Sequence, residues 1–399
     1  MKLSEKECAL LCGFMYLEQS VQNDKIVGDI LDKIKNEKGQ FDPNKLEPTG
    51  GITKEEAVTL LEEIERDPKL CGLKVVQSVD TGIRGTCFID TKSKDQKDAL
   101  VAFRGTGGIT RAWEDNFVGA YETTTAMQQE AVDFVRDKCG KYMISQTTGH
   151  SKGGNLAEHV TIASGRVIDD CVAFDAQGFN SSYLEANKAQ IEKNAGKIRS
   201  IYADKDFVSP LLNPVASKEN TKCIKIGDVK SFGDSHKITM LEQNNLFDDN
   251  GQYKQDVMGS RTMIPKQINK ATRALDKSGF LTSKPGKNIT DLLAVDVSAR
   301  MTKEPERQIA LKPASKEREL KAIKSGVFHV NKSAKEESAD RIKAEKKDMA
   351  RKRNITKTVG KSQKKATGIK RNTAQSQTRG QSRSQIQNQS QSIKKSLSI

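Results

Sequence analysis

The stretch TTGHSKGGN at residues 147–155 predicts the fold of this chain and the place of its most reactive side chain. It contains the pattern G-x-S-x-G, in which a serine sits on a tight turn between a strand and a helix. Gly149 and Gly153 flank Ser151 because a side chain at either position would collide with the neighbouring strand or helix. Five residues alone are a weak signal, so the elements around them decide the interpretation.

The flanking sequence alternates strands with helices, as a parallel α/β sheet requires. Residues 99–104 form a continuous apolar run typical of a buried strand, and residues 142–146 form a strand directly before the turn. A helix is predicted over residues 152–164. Further strands are predicted at residues 73–79, 85–90, 170–175, 198–203 and 221–226, and further helices at residues 4–20, 23–37, 53–65, 125–138 and 182–195.

Charge divides the chain into two parts of opposite sign. Residues 1–250 hold 32 Lys and Arg against 39 Asp and Glu, whereas residues 251–399 hold 35 against 13. We therefore predict an α/β domain over residues 1–250, a basic helical or linker region over 251–353, and a disordered basic tail over 354–399. The tail has too little apolar surface to offset chain entropy. Helices are predicted within the basic region at residues 264–277, 314–324 and 334–353.

The seven cysteines are scattered and odd in number, which argues against a disulfide framework and favours a reducing compartment. No apolar run reaches the roughly 18 residues that cross a bilayer. The apolar N-terminal stretch carries Glu5 and Glu7 where a signal peptide would carry positive charge. We expect a cytoplasmic protein, with secretion independent of a cleavable signal as the alternative.

A serine hydroxyl becomes a good nucleophile only when an imidazole takes its proton and a carboxylate orients that imidazole. The chain has four histidines. His150 should point away from Ser151 on the turn, His159 lies too far along the following helix, and His329 belongs to the basic tail. His236 follows the last predicted strand by about ten residues, where such a histidine belongs. We therefore expect His236 to be the base.

The acid should follow the second strand after the nucleophile. Asp204 and Asp206 both follow the strand at residues 198–203, and the strand count leaves the choice between them open. Asp175, one strand earlier, is a third candidate, and Asp234 beside the histidine is a fourth.

An oxyanion hole needs two N–H donors aimed at the developing negative charge. One should be the backbone N–H of Lys152, the residue after the nucleophile. The other should come from the loop after residues 99–104, namely Gly105-Thr106, with Thr106 as the candidate donor. We expect the Lys152 side chain to point to solvent. We do not expect a Ser-Lys dyad, because adjacent residues on a tight turn cannot approach each other properly.

Four segments together resemble the class 3 (fungal-type) lipases of the α/β-hydrolase superfamily. They are VAFRGT at 101–106 with WEDN at 113–116, GHSKGG at 149–154, and DFVSPL at 206–211. The lysine after the serine, with Asn155, is similar to a bacterial branch whose elbow reads GHSKGGN. The resemblance spans about residues 3–245.

The resemblance implies an α/β-hydrolase fold and hydrolysis of an acyl ester or lipid through an acyl-enzyme intermediate, with no metal or organic cofactor. It favours Asp206 over Asp204 as the acid. It also implies that Arg104 holds the oxyanion loop by pairing with a carboxylate, for which Asp115 is the candidate. Trp113, the only tryptophan, is expected to pack in the core.

The basic region admits several partners. It could remain solvated, lie on an anionic membrane surface, or neutralise nucleic-acid phosphates. After Phe280 its only aromatic residue is Phe328, which disfavours recognition of nucleic acid by base stacking, and we favour the membrane surface. The alternative function is an inactive hydrolase-fold scaffold for this region, which predicts that His236 lies out of reach of Ser151.

Overall fold

The computed structural model describes residues 1–93, 97–107, 110–231 and 233–301. Its seven strands form one sheet in which spatial order follows sequence order. They are β1 (Leu73–Asp80), β2 (Arg84–Asp90), β3 (Asp98–Phe103), β4 (Met143–His150), β5 (Asp170–Phe174), β6 (Ile198–Ala203) and β7 (Thr221–Ile224). The first two pairings are antiparallel and the remaining four are parallel. The predicted mostly parallel sheet flanked by helices is therefore confirmed.

Eleven α-helices lie among the described residues. They are α1 (Glu5–Phe14), α2 (Val27–Ile34), α3 (Lys54–Glu65), α4 (Pro68–Cys71), α5 (Thr110–Val118), α6 (Ala126–Asp133), α7 (Lys152–Ala163), α8 (Ser181–Ala186), α9 (Lys188–Asn194), α10 (Met263–Lys277) and α11 (Lys284–Met301). Thr53 caps α3 with a capping box that also uses Glu56, which fixes the predicted start of that helix. The helix predicted over residues 4–20 ends early, because Leu17 has an extended backbone.

Both faces of the sheet are covered, which explains the unbroken apolar run in β3. Leu100 and Ala102 pack into a core shared with α1, α2 and α3. Val101 and Phe103 point the other way, into a second core shared with α6, α7 and α8. This alternation is the two-residue period of a strand, and it leaves the carboxyl ends of the parallel strands as the place for polar chemistry.

The C-terminal predictions are tested only in part. α10 lies where a helix was predicted over residues 264–277. The helices predicted at 314–324 and 334–353, and the disordered tail at 354–399, lie outside the described residues. No helix in the described part of the chain combines the length and apolar character needed to cross a membrane.

Candidate active site

Ser151 occupies the turn between β4 and α7 in a strained conformation. Its φ of 59° and ψ of −126° lie in a region that costs of order 1–3 kcal/mol for a residue with a side chain. The Ser151 N–H donates to the carbonyl of Phe174 at 2.8 Å, which holds the turn against β5. A Cβ at Gly149 would collide with the Gly153 backbone, and one at Gly153 would collide with the Phe103 carbonyl. Both glycines are needed for the close approach that the sequence predicted.

Ser151, His236 and Asp206 form one hydrogen-bonded chain. His236 Nε2 lies 2.7 Å from Ser151 Oγ, and His236 Nδ1 lies 2.7 Å from Asp206 Oδ1. The three residues come from the β4–α7 turn, the segment after β7 and the loop after β6. Ser151 and Asp206 are buried, whereas the His236 side chain is 14% exposed.

The surroundings of Asp206 determine which atoms of this chain carry protons. Burial works to raise the pKa of Asp206, but the His236 charge and hydrogen bonds lower it below its ordinary value. Backbone N–H groups of Val208 and Ser209 donate to its two oxygens at 3.1 and 2.6 Å. An ionised Asp206 accepts a hydrogen bond from His236 Nδ1–H, which leaves the unprotonated Nε2 to accept a hydrogen bond from the Ser151 hydroxyl. The imidazole is thus held in the tautomer that a general base requires.

The other three carboxylate candidates are engaged elsewhere. Asp175 accepts the Ala203 N–H at 2.9 Å, and burial together with the negative charge of Asp206 raises its pKa well above the ordinary value. Asp204 accepts the Ile226 N–H at 3.1 Å. Asp234 pairs with Lys237 Nζ at 2.9 Å. The structure therefore brings only Asp206, of the four, into hydrogen-bond contact with His236.

The two proposed oxyanion donors come from the residue after Ser151 and from the loop after β3, where a Cβ at Gly105 would lie 3.0 Å from Ser151 Cβ. Lys152 begins α7, and no protein acceptor within the described residues takes its backbone N–H. Thr106 is buried, and its Oγ1 accepts from Asn116 Nδ2 at 3.0 Å, which fixes the side chain on the loop after β3. The side chain of Trp113 is outside the described part of the chain, so its packing stays a prediction.

The Lys152 side chain does not point to solvent, and that expectation is wrong. It is 1% exposed, and its Nζ lies 2.5 Å from Asp115 Oδ2. Asp115 also accepts from Thr125 Oγ1 at 2.7 Å and from the Met127 N–H at 3.3 Å. The ammonium turns inward because α7 is buried on every side from residue 152 to 162, so the charge needs a buried partner.

The predicted pairing of Arg104 with Asp115 is also wrong, because Asp115 is taken by Lys152. Arg104 is buried, and its Nε has no hydrogen-bond partner among the described residues. Burial and the nearby positive charge of Arg84 lower the pKa of Arg104 to about 10. Its backbone N–H donates to the Arg84 carbonyl at 2.9 Å, which ties the start of the loop after β3 to β2.

His150 has a partner that the sequence did not indicate. Its Nδ1 lies 2.7 Å from the Tyr16 hydroxyl, which also lies beside the Gly105 backbone. Its ring centroid lies 4.9 Å from that of His236. Burial and the His236 charge lower the pKa of His150 well below its usual value, so it packs beneath the site as a neutral ring. Tyr16 had no signal beyond its place in the N-terminal segment, because a contact over 134 residues leaves no local pattern.

His150, Asp175 and His236 are the group of described residues that could hold a metal ion, with ligand atoms within 4.8 Å of one another. Both ring nitrogens of His236 are already engaged, one by Ser151 and one by Asp206. A metal would have to displace one of those contacts. Neither His159 nor His329 was expected to act in the site. His159 Nδ1 lies 2.8 Å from the Tyr183 hydroxyl, and His329 lies outside the described residues.

One protein-family model and a set of solved structures match this chain. Residues 74–237 match the model of the Mbeg1-like family, which is less than half of the chain but includes Ser151, Asp206 and His236. Among solved structures, the chain is similar to the crystal structure of M37 lipase, with 11% sequence identity and a TM-score of 0.30. That match covers 73% of this chain and 98% of the lipase chain. No curated protein matches.

Proposed function

We propose that this chain is a serine ester hydrolase of the lipase, phospholipase or esterase type. The observation that carries the proposal is the hydrogen-bonded chain from Ser151 through His236 to Asp206, with both contacts at 2.7 Å. The alternative, an inactive scaffold, predicts His236 out of reach of Ser151, and these distances do not favour it. The resemblance to class 3 lipases, with the GHSKGGN elbow, gives further support.

In the proposed mechanism, Ser151 Oγ attacks the ester carbonyl carbon while His236 Nε2 takes its proton. Asp206 stabilises the imidazolium that forms. The backbone N–H groups of Lys152 and Thr106 bind the oxyanion. His236 then gives the proton to the leaving alkoxide, and a water activated by the same imidazole releases the acid from the acyl-enzyme. This sequence uses no metal and no organic cofactor.

An active-site probe tests the nucleophile. A fluorophosphonate should label the full chain and should fail to label Ser151→Ala, while both proteins show the same circular dichroism spectrum. Equal labelling of the two proteins would overturn the proposal. A panel of esters that varies the acyl chain and the head group would then define the substrate class.

A matched pair of variants tests the acid. Asp206→Asn should lose on the order of 10⁴-fold in kcat, because the imidazole then adopts the wrong tautomer. Asp204→Asn is the control, since Asp204 lies two residues away and its carboxylate accepts the Ile226 N–H rather than contacting His236. An Asp204→Asn loss as large as that of Asp206→Asn would contradict the assignment.

A further inference from the structure

α10 presents an exposed apolar stripe to its surroundings. Met263 is 70% exposed, Ile264 54% and Leu275 42%. At 100° per residue these three side chains lie within a sector of about 120°, together with the exposed Ala271. Six of the eight exposed large hydrophobic residues of the described chain lie on α10 and α11. Apolar exposure is therefore concentrated at this end of the described chain.

A basic stripe runs along α10 directly beside the apolar one. Lys266, Lys270, Arg273 and Lys277 follow one another at steps of four, three and four residues, and all four are exposed. No carboxylate of the described residues forms an ion pair with them, and Arg273 donates instead to Asn213 Oδ1 at 3.1 Å. The stripe is thus a row of uncompensated positive charge. An apolar face beside a basic polar face is typical of amphipathic helices that lie in the membrane interface.

The third face of α10 fixes its orientation on the protein. Asp276 accepts the Ser181 N–H at 3.0 Å and the Asn213 side-chain amide at 2.7 Å. Asn269 Nδ2 donates to the Pro210 carbonyl at 2.7 Å. These contacts hold the buried face against the loop that carries Asp206, so the helix cannot roll to bury its apolar stripe.

We propose that this surface of α10 docks on an anionic membrane, with the apolar stripe inserted among the acyl chains and the lysines paired with lipid phosphates and carboxylates. The chain's own C-terminal residues are a poor cover for it. Residues 302–399 contain 26 Lys and Arg against 9 Asp and Glu, so they carry the same sign of charge as the basic stripe. Docking does not depend on catalysis. It would bring lipid beside the loop that carries Asp206.

Vesicle binding of the full chain tests the proposal, in a Ser151→Ala background so that no lipid is consumed. Binding is measured by flotation with phosphatidylcholine vesicles that contain or lack phosphatidylserine. Two triple variants remove the two stripes: Lys266→Gln, Lys270→Gln, Lys277→Gln, and Met263→Ser, Ile264→Ser, Leu275→Ser. The matched control is Lys33→Gln, Lys38→Gln, Lys92→Gln, which removes three exposed lysines that lie outside α10.

Each lysine near an anionic surface strengthens binding by about fivefold. The α10 lysine variant should therefore bind phosphatidylserine vesicles roughly 10- to 100-fold more weakly, while the control changes less than about threefold. The serine variant should keep salt-sensitive binding and lose the fraction that resists high salt. Unchanged thermal melts would show that these exposed positions leave the fold intact.

Equal losses in the α10 lysine variant and the control would overturn the proposal, because the charge would then act without a specific surface. Equal binding to vesicles that lack phosphatidylserine would also overturn it. If the α10 lysine variant lost binding to duplex DNA but kept its vesicle binding, the basic stripe would be assigned to nucleic acid instead. None of these outcomes depends on ester hydrolysis, so a failure here is distinguishable from a failure of the proposed function.

Discussion

The buried ion pair between Lys152 and Asp115 should be one of the most sensitive points of the fold. Asp115→Ala removes the only carboxylate that contacts the Lys152 ammonium among the described residues, and that side chain is 1% exposed. It also removes the acceptor for Thr125 Oγ1 and the Met127 N–H at the start of α6. Breaking one side of a buried pair costs about 3–5 kcal/mol. For a body of this size that corresponds to a fall in Tm of roughly 6–20 °C.

Lys152→Met should cost less, because Asp115 keeps its two remaining donors and the methionine fills a similar volume. The double variant should be more stable than the sum of the two losses predicts, with a coupling energy of about 2 kcal/mol or more. Thermal and urea unfolding, followed by circular dichroism, measure all three proteins. Asp133→Ala is the control, because its pair with Arg136 is exposed and should contribute less than about 1 kcal/mol. Additive losses, or an Asp115→Ala loss no larger than that of the control, would refute this reasoning.

Two further predictions concern buried polar groups. Tyr16→Phe leaves His150 Nδ1 without its 2.7 Å partner. We therefore expect the free energy of unfolding, measured with urea, to fall by about 1–3 kcal/mol, and a smaller fall would contradict this role of the hydroxyl. Glu242→Gln concerns a buried carboxyl whose Oε2 has no hydrogen-bond partner in the described part of the chain. Burial and the Glu56 charge raise the pKa of this carboxyl to about 8. The folded protein holds this proton while the unfolded chain releases it near pH 4.3, so wild-type stability falls as pH rises from there to about 8. The variant cannot titrate at this position, so its free energy of unfolding should exceed that of wild type by an amount that grows to about 5 kcal/mol across that pH window. A difference that does not change with pH would contradict the raised pKa of Glu242.

The fold could be predicted from sequence because its signals are local. The β3 run is apolar on both faces, and Thr53 with Glu56 marks a helix start within four residues. Chain order then places the catalytic candidates, since the carboxyl ends of parallel strands meet at one edge of the sheet. The structure brings Ser151 and His236 together across 85 residues, as that order predicts.

Side-chain direction was the part that the sequence did not specify. Lys152 follows the nucleophile at a helix start, where a lysine would ordinarily be solvated. It is buried because α7 is enclosed between the sheet and its neighbouring helices, and nothing within α7 itself reports those neighbours. The same enclosure explains the wrong partner for Arg104, because the carboxylate expected to pair with it is the one that the buried Lys152 ammonium takes.

The acid of the site shows how tertiary contact decides between residues that sequence places together. Asp175 and Asp206 follow neighbouring strands and are both buried, and two adjacent carboxyls in such a site do not ionise together. Both feel burial, which raises a carboxyl pKa, but only Asp206 contacts His236, and its pKa alone falls below the ordinary value. The imidazole therefore selects the ionised member, and the protonated Asp175 cannot replace it. A count of strands can place Asp175 and Asp206 side by side, but the contact with His236 decides which of the two carboxyls is ionised. That contact depends on a segment about 30 residues after Asp206 in the chain.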